Sequence, residues 1–513
     1  MKSSNGAQNS EFNARRDIAK GAGSVFLAKT GSVIEIVTQP AYTWMFGLAT
    51  YGLYTVLWSL VNLLENVADF AMTAALQRVL PKEDEAETRA AIIKGAFIIG
   101  VLPCLVLALV LSLLSSDIAP LFNVAEKDLA QLELAIKLFV WALPLWATLE
   151  IATSALRACQ AFGPEIRLRL LWEQLCRFIL ALILWLAGVD TLALLLAHLG
   201  SLSITTVMAL RLLNTHCNLV HVWRSRLSVR VLKDLFLSGL SVLPSNILAR
   251  LFVDAPAILL NFSLAGAAGA NAAGLYSIAR KLSSIPQMVR SVFSHVVSPV
   301  AASRVNSDYL ARQALYTFSL RISLLLALPT AVAVMMAAES LLALFVTGAA
   351  AAWPIVVILT MARGFEAALG PASAIQQVIS HRGFPLLNSV LGLIAAIVIL
   401  HFTFFELETI GVAIAVAIGQ LVIAFLSVWQ LAMIERLQPF NGKFFRVFFG
   451  AVLACVIILF AGYYSSHISS LINGLIIAFT YLCVLWLSVR FALPANDRAA
   501  LGKMGRVLKF NSA

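Results

Sequence analysis

Charge is what this sequence has least of. Only 12% of its 513 residues are Asp, Glu, Lys or Arg, against about 25% in soluble domains, and the mean hydropathy is +0.90. Those values exclude a water-soluble globular chain. Cysteine is also scarce. Cys104, Cys159, Cys176, Cys217, Cys455 and Cys483 form no C-x-x-C pair, so neither a metal cluster nor a disulfide framework is indicated. The sequence has no G-x-x-x-x-G-K-[ST] phosphate loop and no H-E-x-x-H helix, so nothing points to direct use of ATP or to a catalytic metal. Long polar loops are missing as well, which leaves no place for a soluble catalytic site. We therefore expect no enzyme, no cofactor, no metal and no catalytic residue. The net charge of +11 invites a nucleic-acid partner, but basic loops on one face of a membrane account for it, and none is expected.

What the sequence does have is apolar runs of about 20 residues, the length that spans a bilayer. The short alternating strands of a membrane β-barrel do not occur. The reading is an all-α polytopic membrane protein with about fourteen spans. They lie roughly at 23–43, 50–74, 93–114, 134–156, 168–187, 190–211, 236–261, 272–299, 314–336, 353–378, 384–404, 409–433, 446–464 and 470–490. Residues 1–22 are polar and basic and lack the apolar run and cleavage site of a signal peptide, so they read as a cytoplasmic tail. Lys and Arg recur in every second loop: Arg78, Lys82 and Arg89; Arg157 and Arg167; Arg224, Arg226 and Arg230; Arg304; Arg382; Arg436 and Lys443. Lys127 and Lys137 are the exceptions on the other side. The positive-inside rule then gives both termini in the cytoplasm.

The chain also repeats itself. GLYTVLWSL at 52–60 returns as GLYSIARKL at 274–282, once at the start of span two and once at the start of span eight. An offset of six spans implies two parallel repeats of six helices. The expected organisation is a tail (1–22), an N-lobe (23–211), a basic amphipathic linker (212–235), a C-lobe (236–437), two extra helices (438–494) and a C-terminal tail (495–513).

Between the two copies Trp58 and Ser59 become Arg280 and Lys281. A charge at the centre of a bilayer costs about 2.5–3.5 kcal/mol on insertion scales, so each one demands a cavity or a partner. The others are Lys29 and Glu35, Glu65 and Asp69, Glu150, Glu173 and Arg177, Arg250 and Asp254, Arg290, Arg321, and Arg363 and Glu366. On a helical projection Asn62, Glu65 and Asp69 share one face of span two. Asn246, Arg250, Asp254 and Asn261 share a sector of span seven, and Arg280, Ser284, Gln287, Ser291 and Ser294 form a stripe along span eight, with His295 beside it. Stripes of this length suit a water-filled cavity lined by spans one, two, seven and eight. Glu173/Arg177, Arg250/Asp254 and Arg363/Glu366 are spaced as internal ion pairs, which is the plain structural reading. It fits Glu173/Arg177 best, near a helix end, and Arg250/Asp254 least, deep in its span. Glu65 and Asp69 repel one another and have no cation within a turn, which marks them, with Asp254 and Glu366, as candidates for coupling to an ion or a proton.

The segments YGLYTVLWSLVNLLENVADFAMTAALQRVLP (51–81), RACQAFGPEIRLRLLWEQLCRFIL (157–180) and AAGLYSIARKLSSIPQMVRSVFSHVVSPVAAS (272–303) resemble the polysaccharide-flippase branch of the multidrug/oligosaccharidyl-lipid/polysaccharide exporter superfamily. The resemblance implies two lobes around a central cavity. It also implies movement of a polyprenyl diphosphate-linked oligosaccharide to the outer leaflet by alternating access, in a bacterial cytoplasmic membrane, for export of a cell-surface polysaccharide. Under it, Arg280 and Arg250 would hold the diphosphate with Lys281 as an added point charge, Arg290 and Lys29 would be further cavity cations unless they snorkel or sit at the membrane edge, and Ser284, Gln287 and Asn246 would bind the sugar. The expected partners are then the lipid-linked oligosaccharide, membrane lipid and a coupling cation or proton. A cation-coupled drug exporter of the same fold, and a membrane polymerase or ligase of lipid-linked sugars, are the alternatives.

Overall fold

The structure is a computed structural model that describes residues 30–159, 167–290, 309–380 and 383–500. Lys29, Ser291, Ser294, His295 and both tails lie outside the described residues, as does the side chain of Glu35. The described helices used below are α1 (Thr30–Phe46), α2 (Leu48–Ala68), α3 (Met72–Val79), α4 (Ala86–Leu113), α5 (Glu126–Phe139), α6 (Ala142–Ala158), α7 (Glu173–Leu186), α8 (Ala193–His216), α9 (Leu219–Arg224), α10 (Val229–Leu240), α11 (Leu243–Ser263) and α12 (Ala267–Leu282). After them come α13 (Tyr309–Met336), α14 (Trp353–Ile379), α15 (Gly383–Met433), α16 (Gly442–Ser465), α17 (Ser470–Phe491) and α18 (Ala495–Ala500). Among the described residues there is no strand, and nine helical segments are long and apolar enough to cross a membrane. The chain is an all-helical, multi-pass membrane protein.

The longest segment, α15, has 51 residues, about 77 Å if straight and far more than a bilayer needs. Its backbone leaves helical geometry at Glu408 (φ 41°), and the two arms fold back on each other. Gly392 on one arm meets Gly419 and Ile423 on the other, and Gly411 sits against the carbonyl of Thr403. The two spans expected at 384–404 and 409–433 are these arms.

The helices form two compact units, one of residues 30–277 and one that begins at Ile278. In the second unit α13 carries the core: Tyr316, Phe318, Leu320, Leu324 and Leu325 are buried with Ala367, Ala368 and Ile375 of α14 and Val447 and Ala451 of α16. In the first unit α2 packs along α11, and near its start it crosses α12. The crossing is where the two copies of the repeated motif meet. A Cβ on Gly52 would lie 1.8 Å from the carbonyl oxygen of Ala270, and one on Gly274 would lie 2.9 Å from that of Leu48. Here glycine is required by close approach of backbones, as at small-residue crossings in membranes.

Proline interrupts α1 at Pro40, α4 at Pro103, α11 at Pro256, α13 at Pro329 and α14 at Pro371. Each removes one helical N–H, and the loss is tolerated where neighbouring helices supply partners. The expected basic linker is built from α9 and α10. Their first N–H groups are capped by Asn218 and Ser228, and Lys94 Nζ donates to the carbonyls of Trp223 (2.8 Å) and Ser225 (3.0 Å).

Gly52→Ala should cost about 1–3 kcal/mol or more, because the methyl group meets backbone rather than a movable side chain. Gly95→Ala, whose new methyl meets only leucine methyl groups, should cost much less. Thermal unfolding of the two purified variants checks the difference.

Candidate functional site: two helix breaks and their ion pairs

The first break separates α2 from α3. Phe70 (φ 52°) and Ala71 (φ 54°) are consecutive left-handed residues without being glycine, which costs about 1–2 kcal/mol each. Asp69 offsets that cost. Its Oδ1 accepts the N–H of Ala71 at 2.8 Å, and its carbonyl accepts the N–H of Met72 at 3.1 Å. Gly239 of α10 lets that helix close onto the carbonyl of Phe70. Asp69, Glu65 and Asn62, which share one helical face, are all buried. Glu150 and Arg250 lie close enough to Asp69 to act on it electrostatically. Arg250 Nη1 stands 3.7 Å from Asp254 Oδ2, with the Arg250 side chain 34% exposed and that of Asp254 2%. The structure thus brings Asp69, Glu150, Arg250 and Asp254 into one neighbourhood of the first unit. Asn246 is half-buried one turn before Arg250. Asn261 belongs elsewhere: its Oδ1 accepts the N–H of Asn123 (3.2 Å) and its Nδ2 donates to the Asn123 carbonyl (2.6 Å), which anchors a loop.

The second break lies within the stretch expected as span eight. The helix stops at Leu282, turns at residues 283 and 284, and resumes at 285. Pro286 explains this, since its ring excludes a helical carbonyl four residues earlier and it has no N–H to donate. The stripe of Arg280, Ser284 and Gln287 is therefore divided. The carbonyls released at the break are satisfied by side chains: Ser283 Oγ donates to Arg280 O (3.1 Å), Ser284 Oγ to Lys281 O (2.6 Å), and Arg363 Nη1 to Arg280 O (2.5 Å) and to Ser283 Oγ (2.9 Å). Arg280 and Lys281 are half-buried in the last turn of α12, where the negative end of the helix dipole favours a cation.

One turn further on, Glu366 of α14 accepts from Arg290 through Oε1 and from Gln287 Nε2 through Oε2 (2.9 Å). The Arg290 side chain is 34% exposed and that of Glu366 12%. The aliphatic stem of Arg290 passes over Gly370, where a Cβ would lie 2.8 Å from its Cγ. Sequence spacing pairs Glu366 with Arg363. In the structure Arg363 serves the broken helix, and Glu366 takes a partner from the segment after the break.

Three polar groupings reach beyond what helical spacing shows. Glu173 and Arg177 do form their ion pair, and Arg177 also donates to Tyr54 Oη (3.3 Å), which lies 3.0 Å from His198 Nδ1. Arg321 is buried in α13 and pairs with Asp497 of α18 at 2.8 Å, a residue that looks like part of a soluble tail. Gln376, Asn388, Ser427 and Gln430 form a buried amide network between α14 and both arms of α15. The one sequence signal for it was polar residues inside apolar runs.

Comparison with known proteins places this geometry. The family model described as "Polysaccharide biosynthesis protein" matches residues 18–305, more than half of the chain, and the chain belongs to that family. Its fold is shared with the multidrug/oligosaccharidyl-lipid/polysaccharide exporter superfamily. The lipid II flippase MurJ in an inward closed conformation is 13% identical, covers 92% of this chain and 98% of its own, and gives a TM-score of 0.68. An inward-facing multidrug resistance MATE family transporter of that superfamily is 15% identical, with 82% and 95% covered and a TM-score of 0.61. A mutant of the Vibrio cholerae MATE transporter VcmN is 15% identical, with 85% and 100% covered and a TM-score of 0.58. No curated protein sequence matches the chain.

Asp69→Ala should lower thermal stability by about 1.5–3 kcal/mol, the range for a hydrogen bond to a charged group. Asp69→Asn keeps an oxygen acceptor for the Ala71 N–H and should lose much less. Unfolding of the two purified variants separates the turn-forming role from any role of the charge.

Proposed function

We propose that this protein is a flippase that moves a polyprenyl diphosphate-linked oligosaccharide from the cytoplasmic to the outer leaflet, for export of a cell-surface polysaccharide. The observation that carries the reading is the asymmetry of two ion pairs. In Arg250–Asp254 and Arg290–Glu366 the acid is the more buried partner and the guanidinium is the more presented one. An arginine held this way offers its planar fork to phosphate oxygens, while its own carboxylate balances the charge when no ligand is bound. An unpaired diphosphate in hydrocarbon would cost tens of kcal/mol by Born estimates, so a carrier of such a lipid needs internal cations.

In this reading Arg280, Lys281, Arg250, Arg290 and Lys29 bind the diphosphate, and Ser284, Gln287 and Asn246 bind the sugar. The substrate site opens alternately to the two faces of the membrane. Glu65, Asp69, Asp254 and Glu366 are the groups through which an ion or proton gradient drives the cycle, worth about 2.3 kcal/mol per charge per 100 mV. Both termini face the cytoplasm of a bacterial cell, and the protein sits in the inner membrane. A cation-coupled drug exporter is disfavoured by the same asymmetry, because the acids that a cationic drug needs lie beneath arginines.

Deletion of the gene should cause a lipid-linked sugar to accumulate on the cytoplasmic face, read by extraction and mass spectrometry. Unchanged lipid pools overturn the flippase reading. Arg280→Ala should abolish surface polysaccharide while membrane insertion stays at the wild-type level; normal polymer output from a well-expressed variant removes Arg280 from the substrate path. The double variant Glu65→Gln/Asp69→Asn should slow gradient-driven transport, and an unchanged rate removes both carboxylates from coupling.

A further inference from the structure

Six cysteines remain as free thiols, and two of them, far apart in sequence, meet at one end of the first unit. Cys159 follows the last residue of α6, and Cys217 follows the last residue of α8. Their sulfurs are 3.7 Å apart, and Nη2 of Arg89, at the start of α4, stands 3.6 Å from the Cys159 sulfur. Both thiols are half-buried rather than sealed in. Neither helix spacing nor a C-x-x-C motif signals the pair, since 58 positions separate the two residues.

We propose that Cys159 and Cys217 are a reversible thiol–disulfide modification site, with Cys159 as the attacking sulfur, Cys217 as the resolving thiol and Arg89 as the residue that positions the Cys159 thiolate. The oxidant is a low-molecular-weight disulfide such as oxidised glutathione. The site does not depend on what the protein carries. It takes from the proposed orientation only that this end of the bundle faces the cytoplasm.

The assignment of roles follows from the charges around the sulfurs. The hydrogen bond shared with Cys217 first, and then the Arg89 guanidinium, which stands against the Cys159 sulfur, lower the Cys159 thiol to about 6 against the opposing effect of burial, while the same shared hydrogen bond holds the Cys217 thiol well above its ordinary value. Cys159 is thus a thiolate at neutral pH, and the thiolate is the nucleophile. It attacks one sulfur of the small disulfide; that S–S bond breaks, and one glutathione leaves as thiolate and takes up a proton. Cys217 then gives up its proton and attacks the Cys159 sulfur of the mixed disulfide, and the second glutathione leaves. The two protein thiols lose two electrons, and the small disulfide gains them. The product ties the end of α6 to the residue that opens the α8–α9 connection.

The test uses the full chain in detergent, where both faces are accessible, with oxidised and reduced glutathione in varied ratio, acid quenching, alkylation and peptide mass spectrometry. The wild-type chain should yield a peptide joining Cys159 to Cys217 that dithiothreitol removes. Cys217→Ser should trap a glutathione adduct on Cys159. Between pH 8 and pH 6 the rate of attack should fall only about twofold, against the roughly 75-fold fall of an unperturbed thiol, and Arg89→Gln should steepen that dependence. Thiols that stay free at every ratio overturn the proposal. So does an adduct that remains on Cys159 in the wild-type chain, or a link between two copies of the chain. None of these outcomes bears on the flippase reading, which the lipid analysis tests separately.

Discussion

A carbonyl that loses its helical partner inside hydrocarbon has no water to turn to, and two helix breaks among the described residues answer to that constraint. The clearest case is the break at residues 283 and 284. Pro286 ends α12, and the exposed carbonyl of Arg280 is met by the hydroxyl of Ser283 and the guanidinium of Arg363. The break between α2 and α3 is held the same way by the carboxylate of Asp69. Polar side chains that look misplaced in apolar helices are, at these points, replacements for backbone hydrogen bonds.

That changes the meaning of the charges. A cation in the last turn of a helix, such as Arg280 or Lys281, is stabilised by the helix end, and a carboxylate at a left-handed turn is part of the turn. Such a role leaves room for a second one, toward a substrate or a coupling ion. Arg250 and Arg290 stand out because each guanidinium is more open than the acid that balances it. Buried ion pairs rarely add stability over apolar packing, and in the proposed function these two serve recognition rather than folding. Arg321–Asp497 is the contrasting case. Both members are buried, and the pair fastens the short C-terminal helix α18 to the second unit.

Spacing along a helix identified some of the ion pairs and assigned other residues the wrong partners. It identified Glu173–Arg177 and Arg250–Asp254, because an i,i+4 pair on one helix is decided locally. It matched Arg363 with Glu366 for the same reason, whereas α14 offers Arg363 to the broken helix and Glu366 to Arg290. It gave no hint of Asp497 as a partner of Arg321, of the amide network around Asn388, or of Cys159 beside Cys217. Those contacts join residues tens to more than a hundred positions apart, and no period of 3.6 carries that information.

The sequence by itself determined the solvent of this protein, its helical character and its family, because hydrophobic length and a repeated Gly-Leu-Tyr motif are one-dimensional quantities. The tertiary structure alone decided that Gly52 and Gly274 meet at one crossing, that Pro286 divides a polar stripe into two parts, and that each arginine is paired by a particular neighbour. The reason is physical: in a medium that offers no hydrogen bonds, the partner of a charge is whichever helix packing brings within about 3 Å, and packing is settled by the whole fold rather than by any one segment.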